Sequence, residues 1–476
     1  MHIKKYIFSF IQFVLLVLSL VTNWYYPISI ILSIVLMVMI LDRLGRGIVL
    51  REIIALHCCL ICTIMPIIGY QVYTRTNPLA RVWVRYMPVP DTVYFEFVLP
   101  AVLAFAFALC WPMKAKENTD YGPYLDDIIQ RAKVILHPRP KLGIILLVIG
   151  VIMYFVAGFL PVSLRFVSVL FFFSSFAGFL YVFYSPGFRY KKIILIAFVT
   201  FIIGNALASG MFTIVAYMSM LIVSFIFLGS KATFARKLII FVSGLLLVLI
   251  IQAVKPAYRA YTWNKEYKGN KAELFITLMG DKISKGDIFS EDEFFWIYYR
   301  ANQGYNIGLV MRRIPRQQPH DEGLNLVRSI SSSLVPRFLW PDKPEAGGRF
   351  NMKYYAGVNL GSWSTNIGPL GEAYGGFGVK GGIAYMFILG MFIRWAYQRM
   401  FVLAKKIPLL ICWLPVLFYQ ITYSAETDTL QILNSLLKGA LFVWILYKLL
   451  PAWFGLDNKH REQQANAEKL LTSQPA

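Results

Sequence analysis

Between Ser332 and Gly382 the chain concentrates Arg337, Lys343, Arg349 and Glu372 among prolines, glycines and aromatics, with strongly apolar sequence on either side. Pro336, Pro341 and Pro344 each fix φ and remove a backbone N–H, so residues 335–344 run as a stiff, irregular loop that holds Arg337 and Lys343 on a backbone with few conformations. Such a loop is either a rigid surface segment with solvated cations or an anion clamp, since a planar guanidinium and a compact ammonium are what phosphate oxygens need. Arg328 and Arg312 lie shortly before it, and Asp428 follows in the short turn Ser424–Thr429. Two carboxylates there, Glu426 and Asp428, serve equally well as a solvated turn with a helix cap.

The rest of the chain has to position these groups, and its composition says how. Of 476 residues 58% are apolar and only 15% charged, with a mean hydropathy of +0.58, against about 25% charged in a soluble globular domain. The expected fold is an all-α polytopic membrane protein with about twelve spanning helices. Its apolar runs lie near 5–22, 27–41, 52–73, 92–112, 143–160, 166–184, 193–208, 210–229, 237–254, 379–397, 407–424 and 431–450, the second and seventh being short. They divide the chain into 1–254 with a cytoplasmic amphipathic insert at 113–142, a large periplasmic loop at 255–378, three last helices at 379–450, and a tail at 451–476.

Short loops facing the cytoplasm should be rich in Lys and Arg. With the N-terminus inside, Lys4, Arg43, Arg46, Arg51, Arg131, Lys133, Lys191, Lys192, Arg236, Lys237, Arg399 and Lys405 fall inside, and only Arg75, Arg81, Arg85 and Arg165 sit in short outer loops. Both termini are then cytoplasmic. The first helix has the basic start of a secretory signal, but Thr22-Asn23-Trp24-Tyr25-Tyr26 offers no small-residue cleavage site, so it is expected to be retained. The formal net charge of +22 follows from these inner loops facing anionic headgroups, and no nucleic-acid motif accompanies it.

All five cysteines (Cys58, Cys59, Cys62, Cys110 and Cys412) fall in apolar helices, which argues against a disulfide framework. His57, Cys58 and Cys62 share part of a helix face, but no second ligand cluster exists to complete a tetrahedral metal site. Among intramembrane polar residues Glu96, Asn205 and Lys438 stand out. In the outer segment Ser290 and Glu293 form a capping box that starts one helix through EDEFFWIYYRANQGYNIGLVMRR. Asp321 is placed to cap a second helix ending at Pro336. Gly376, Gly378 and Gly381 have dinucleotide-loop spacing, but no strand precedes them, and close packing of helix backbones explains them better. The amphipathic insert is explained by a short helix on the inner membrane face.

The many-helix layout, the large outer loop before the last helices, and the motifs VPRFLWPDKP and TNIGPLGEAYGGFG resemble the bacterial oligosaccharide repeat-unit polymerases, the Wzy-type O-antigen polymerases, which are themselves similar to the O-antigen ligases. Arg337 with Gly348 and Arg312 with Gly323 match the family's spacing of an Arg followed eleven residues later by Gly. The resemblance implies a GT-C-like membrane glycosyltransferase of the bacterial inner membrane, acting without metal or cofactor. Its substrates would be oligosaccharides on polyprenyl diphosphate, and a chain-length regulator is a possible protein partner. One glycan hydroxyl attacks the anomeric carbon of the other chain and polyprenyl diphosphate leaves. Fixed cations near the leaving diphosphate lower that barrier, and a carboxylate helps by taking the hydroxyl proton. The expectation is therefore that Arg337, Lys343 and Arg349 hold the diphosphate with Arg328 or Arg312 assisting, and that Glu372 is the base, with Asp428 as second candidate. Ligation to another acceptor and flipping of a lipid-linked oligosaccharide are the competing readings.

Overall fold

A computed structural model describes residues 2–113, 120–161, 165–230, 232–264, 267–286, 290–335, 339–340, 342–344, 346–361 and 364–456. It is 79% helix, with no strand among the described residues, as expected where lipid offers the backbone no hydrogen-bond partners and each segment must satisfy its own.

Each of the apolar runs is a helix. In the N-terminal half these are α1 (His2–Val21), α2 (Tyr25–Arg43), α3 (Leu50–Cys59), continued through one π turn into α4 (Met65–Gln71), and, after the short α5 (Pro78–Val82), α6 (Asp91–Cys110). The insert helix α7 (Pro123–Leu136) precedes α8 (Pro140–Val156), α9 (Arg165–Tyr184), α10 (Lys191–Ser209), α11 (Thr213–Ile226) and α12 (Phe234–Asn264). Between α12 and the helix that begins at Gly368 the described residues form α13 (Lys271–Ser284), α14 (Glu291–Ala301), α15 (Gln303–Arg313), α16 (Leu324–Leu334) and α17 (Gly348–Ala356). The chain closes with α18 (Gly368–Lys406), α19 (Leu414–Thr422) and α20 (Thr429–Leu449). Ten spans among the described residues have the length and apolarity to cross a membrane; Tyr6–Val21 and Thr213–Ile226 are apolar but shorter. The second and seventh runs, short in sequence, lie in helices of 19 residues each.

The bundle is built around α6, whose side chains from Tyr94 to Cys110 are almost all buried. Its broadest packing in the bundle is against α18. At their closest approach a Cβ on Gly390 would stand 2.7 Å from the Phe105 carbonyl, so only glycine lets these two backbones meet.

Four local features depart from the expectations. The helix after Ser290 is two helices, because the Asn302 side chain accepts from Tyr305 N at 3.2 Å and caps a new start at Gln303. α12 does not stop near 254 but runs through Pro256 to Asn264, keeping Lys255 and Arg259 on the helix. The apolar face of α7 (Leu125, Ile128, Ile129, Ala132, Leu136) is buried within the protein, against the turn Pro408–Trp413 and α9, so protein rather than lipid covers it. Arg51, counted above among the charges of the inner loops, is only 1% exposed. Its guanidinium donates to Asp120 Oδ2 at 2.9 Å and to the carbonyls of Leu109 and Trp111, while Arg43 pairs with buried Glu52 beside it.

Candidate functional site

The sequence before Glu372 sets its direction. Gln303 and Asn306 of α15 donate to the Asn366 carbonyl at 2.8 and 2.9 Å, which pins the chain just ahead of α18, and Pro369 sits in the first turn where its missing N–H costs nothing. Gly378, at φ 66°, then breaks α18. The turns carrying Glu372 are thereby angled independently of the long apolar part that follows.

Both Glu372 oxygens are held. Oε1 accepts from Asn351 Nδ2 of α17 at 2.9 Å, and Oε2 accepts from the Thr429 backbone N–H at 2.9 Å and from the Thr429 hydroxyl. The Tyr385 hydroxyl, one side of the kink away, bonds the same Thr429 oxygen. Donors from α17 and α20 thus fix one carboxylate of α18, with Tyr385 holding the Thr429 hydroxyl behind it.

Asp428, next to Thr429, is 1% exposed. Its Oδ1 accepts from Gln431 N at 2.6 Å as the cap of α20, and its Oδ2 from Gly347 N at 2.7 Å and Asn366 Nδ2 at 3.0 Å. Burial pushes its carboxyl above the ordinary aspartate range, and the Gly347, Gln431 and Asn366 donors draw it only part of the way back. The carboxylate ties the loop before α17 to the start of α20.

Glu372 forms part of the wall of a narrow hollow, with Asp321, Asn325, Tyr355, Tyr385 and Thr429 among its lining. A second narrow hollow shares Asn325 and Ser329 with the first and is lined also by Arg328, Phe350, Asn351 and Asp428. Asp321 belongs here rather than at a helix cap: its Oδ2 accepts from the Tyr355 hydroxyl at 2.6 Å and from Asn325 Nδ2 at 2.8 Å, and Gly323 is the cap residue of α16. Burial and the Asp321 carboxylate push the Tyr355 phenol well up, keeping it a hydrogen-bond donor. The pair could have been suspected from HDEG before an amphipathic helix; Tyr355 had no signal in a stretch full of aromatics.

The cations distribute unequally. Arg328 is exposed on α16, lines the second hollow, and lies 6.0 Å from the Phe350 ring. Lys343 donates to the Ser332 and Val335 carbonyls at 2.7 and 2.6 Å, closing the end of α16. Arg349 is exposed at the start of α17, and Arg312 is exposed at the end of α15, and neither lines either hollow. The next residue, Arg313, reaches the Lys353 carbonyl of α17 at 3.4 Å. Arg337, with Pro336, Pro341 and the end of α16's exit, lies outside the described residues.

Among the described residues no three His, Cys, Asp or Glu side chains are grouped to hold a metal; Cys58, Cys59 and Cys62 are buried free thiols, and His57 instead pairs with Glu426 at 3.0 Å. In the loop between α4 and α6 Arg85 lies over the Tyr299 and Tyr305 rings at 4.0 and 4.5 Å, and Arg75 over Tyr86 at 5.0 Å.

Residues 19–403 match the family described as a domain of unknown function, DUF8712. The chain belongs to that family. No curated protein and no solved structure matches it. The matched residues take in Asp321, Asn351, Tyr355, Glu372 and Tyr385, whereas the Asp428–Thr429 turn that completes the site lies beyond them.

Proposed function

We propose that the protein polymerises polyprenyl-diphosphate-linked oligosaccharide repeat units into a surface polysaccharide by glycosyl transfer on the outer face of the membrane. The observation that carries this reading is Glu372: the carboxylate singled out in the sequence stands on the wall of a hollow, oriented by Asn351 and Thr429, with the buried Asp428 in the adjoining wall. A base works when it is aimed, and this one has little freedom left.

In the proposed reaction a hydroxyl of the acceptor glycan gives its proton to Glu372 as its oxygen bonds to the anomeric carbon of the donor. The bond from that carbon to the diphosphate oxygen breaks, and polyprenyl diphosphate departs with the electron pair. Arg328, at the rim of the second hollow, is the described cation best situated to meet the growing negative charge, with Arg349 on the neighbouring helix and Arg337 as further candidates. Asp321, Asn325 and Tyr355 offer the paired donors and acceptors that sugar hydroxyls require.

The test is purified protein in detergent with lipid-linked repeat units and no nucleotide sugar, the glycans being run on a gel. A ladder of repeat lengths that disappears with Glu372→Gln supports the proposal. A single addition to a different acceptor would identify a ligase, and wild-type ladders from the Gln variant would remove Glu372 from the role of base.

A further inference from the structure

α16 has two faces that differ in what covers them. Leu324, Val327, Ile330 and Leu334 recur at helical spacing, and each is between 42% and 69% exposed among the described residues. On the other side Ser332 and Ser333 are buried, Leu326 packs on the core, and Asn325 and Ser329 line both hollows. Arg328, the one charge on the helix, stands between the two faces. A row of large apolar side chains left uncovered by its own chain marks a surface that something else covers.

The neighbours of α16 say what that is. α16 packs against α20 and α18, and it meets α20 at its first turn, where Thr429 lines the first hollow and Leu430 the second. α20 has 21 residues, about 31 Å of helix, which matches one hydrocarbon core of about 30 Å. Its Leu437, Leu441 and Ile445, one turn apart, are exposed as on a lipid-facing side. The first turn of α20 therefore stands at the membrane boundary. α18 agrees with this level: Phe377, whose ring fills the space that a Cβ on Gly323 would need, immediately precedes the kink at Gly378 from which the long apolar part of that helix runs on. α16 thus lies where two spanning helices enter the bilayer. It carries no acidic residue, so its single charge has the sign that anionic headgroups attract, and an Arg side chain is long enough to keep its head in the polar layer while apolar neighbours go deeper.

We propose that Leu324, Val327, Ile330 and Leu334 dock α16 on the bilayer surface, with lipid acyl chains under the row and Arg328 among the headgroups. A helix with one apolar face and a basic edge lies in the interface plane for this reason. Because Asn325 and Ser329 belong to the same helix, docking holds both hollows at headgroup depth, where a ligand carried on a lipid reaches them without leaving the membrane. The contact with lipid stands whether or not the protein is a polymerase.

The experiment is fluorescence quenching of single added cysteines, Val327→Cys, Leu334→Cys and Lys285→Cys, each labelled with bimane in the full chain and reconstituted in nanodiscs of phosphatidylcholine and phosphatidylglycerol. All three positions are exposed, so the changes leave the fold alone. The five native cysteines are buried, and the parent protein taken through the same labelling gives the background. In Val327→Cys and Leu334→Cys, lipids bearing a nitroxide high on the acyl chain should quench most of the signal and aqueous iodide little of it. Lys285→Cys, on the turn after α13, should show the reverse. Iodide quenching of Val327→Cys and Leu334→Cys as strong as that of Lys285→Cys overturns the proposal. So does protection from both quenchers, which would identify a second copy or another segment of the chain over the row.

Discussion

The sequence ranks Glu372 first and Asp428 second as candidate base, and their hydrogen bonds set them further apart. Glu372 takes its donors from side chains and one N–H around a hollow, whereas Asp428 spends both oxygens on the start of α20 and the loop at Gly347. Glu372→Gln should therefore abolish polymer formation with little change in melting temperature. Asp428→Ala should lower stability by about 1 kcal/mol or more through the lost cap, visible as an earlier thermal transition in detergent, while Asp428→Asn keeps much of the capping. Asn351→Ala loosens one side of Glu372 without touching the acid itself; an expected loss of about tenfold in turnover corresponds to 1.4 kcal/mol of lost positioning. Turnover by Asn351→Ala equal to wild type would mean that the orientation of the carboxylate is irrelevant to the reaction.

At the scale of elements, the site depends on breaks that interrupt otherwise regular helices. Gly378 occupies the left-handed region at φ 66°, and a Cβ there costs about 1–2 kcal/mol from backbone sterics alone. Gly378→Ala should therefore tilt the Glu372 segment and lower activity in protein that still folds, measured by the polymer ladder at matched amounts of monodisperse protein. A Gly378→Ala enzyme as active as wild type would show that the kink has no part in placing Glu372. The break at Asn302 matters in the same way, because Gln303 and Asn306 hold the Asn366 carbonyl from the start of the new helix. Both breaks were hard to foresee. The run from Glu291 to Arg313 keeps helical spacing of its aromatics on both sides of Asn302, and the glycines around 378 fit close packing as well as a kink.

Across the whole molecule the two ends of the bundle are built differently. The end bearing Leu50 and Asp120 is locked by Arg51, whose removal leaves Asp120 buried without its charge partner. Taking out one member of such a pair costs about 3–5 kcal/mol, so Arg51→Ala should express poorly and melt early, and the loss should be independent of substrate. The segment between α12 and α18 instead leaves hollows between α16, α17, α18 and α20. The distribution of Lys and Arg predicts that both termini are inside, so a cysteine introduced at Arg399 should react with an impermeant maleimide only in inverted membranes, and one at Lys285 only in right-side-out ones. The opposite pattern would place the Glu372 site on the inner face and end the proposal.

The sequence by itself determined the helical membrane class, the approximate place of the apolar runs though not all their ends, and the stretch that carries Glu372, because long apolar runs and clustered prolines and charges are local signals. It could also point to Asp428, since carboxylates at helix starts are local too. Only the tertiary structure decided which groups meet. Asn351 and Thr429 reach one carboxylate from two other helices while Tyr385 bonds Thr429, Asp321 turns from a presumed cap to Tyr355, and Lys343 closes a helix end. Arg51 departs from the sequence reading for the same physical reason. Composition counts a charge, but whether it faces water, lipid or another charge is settled by the helices packed around it.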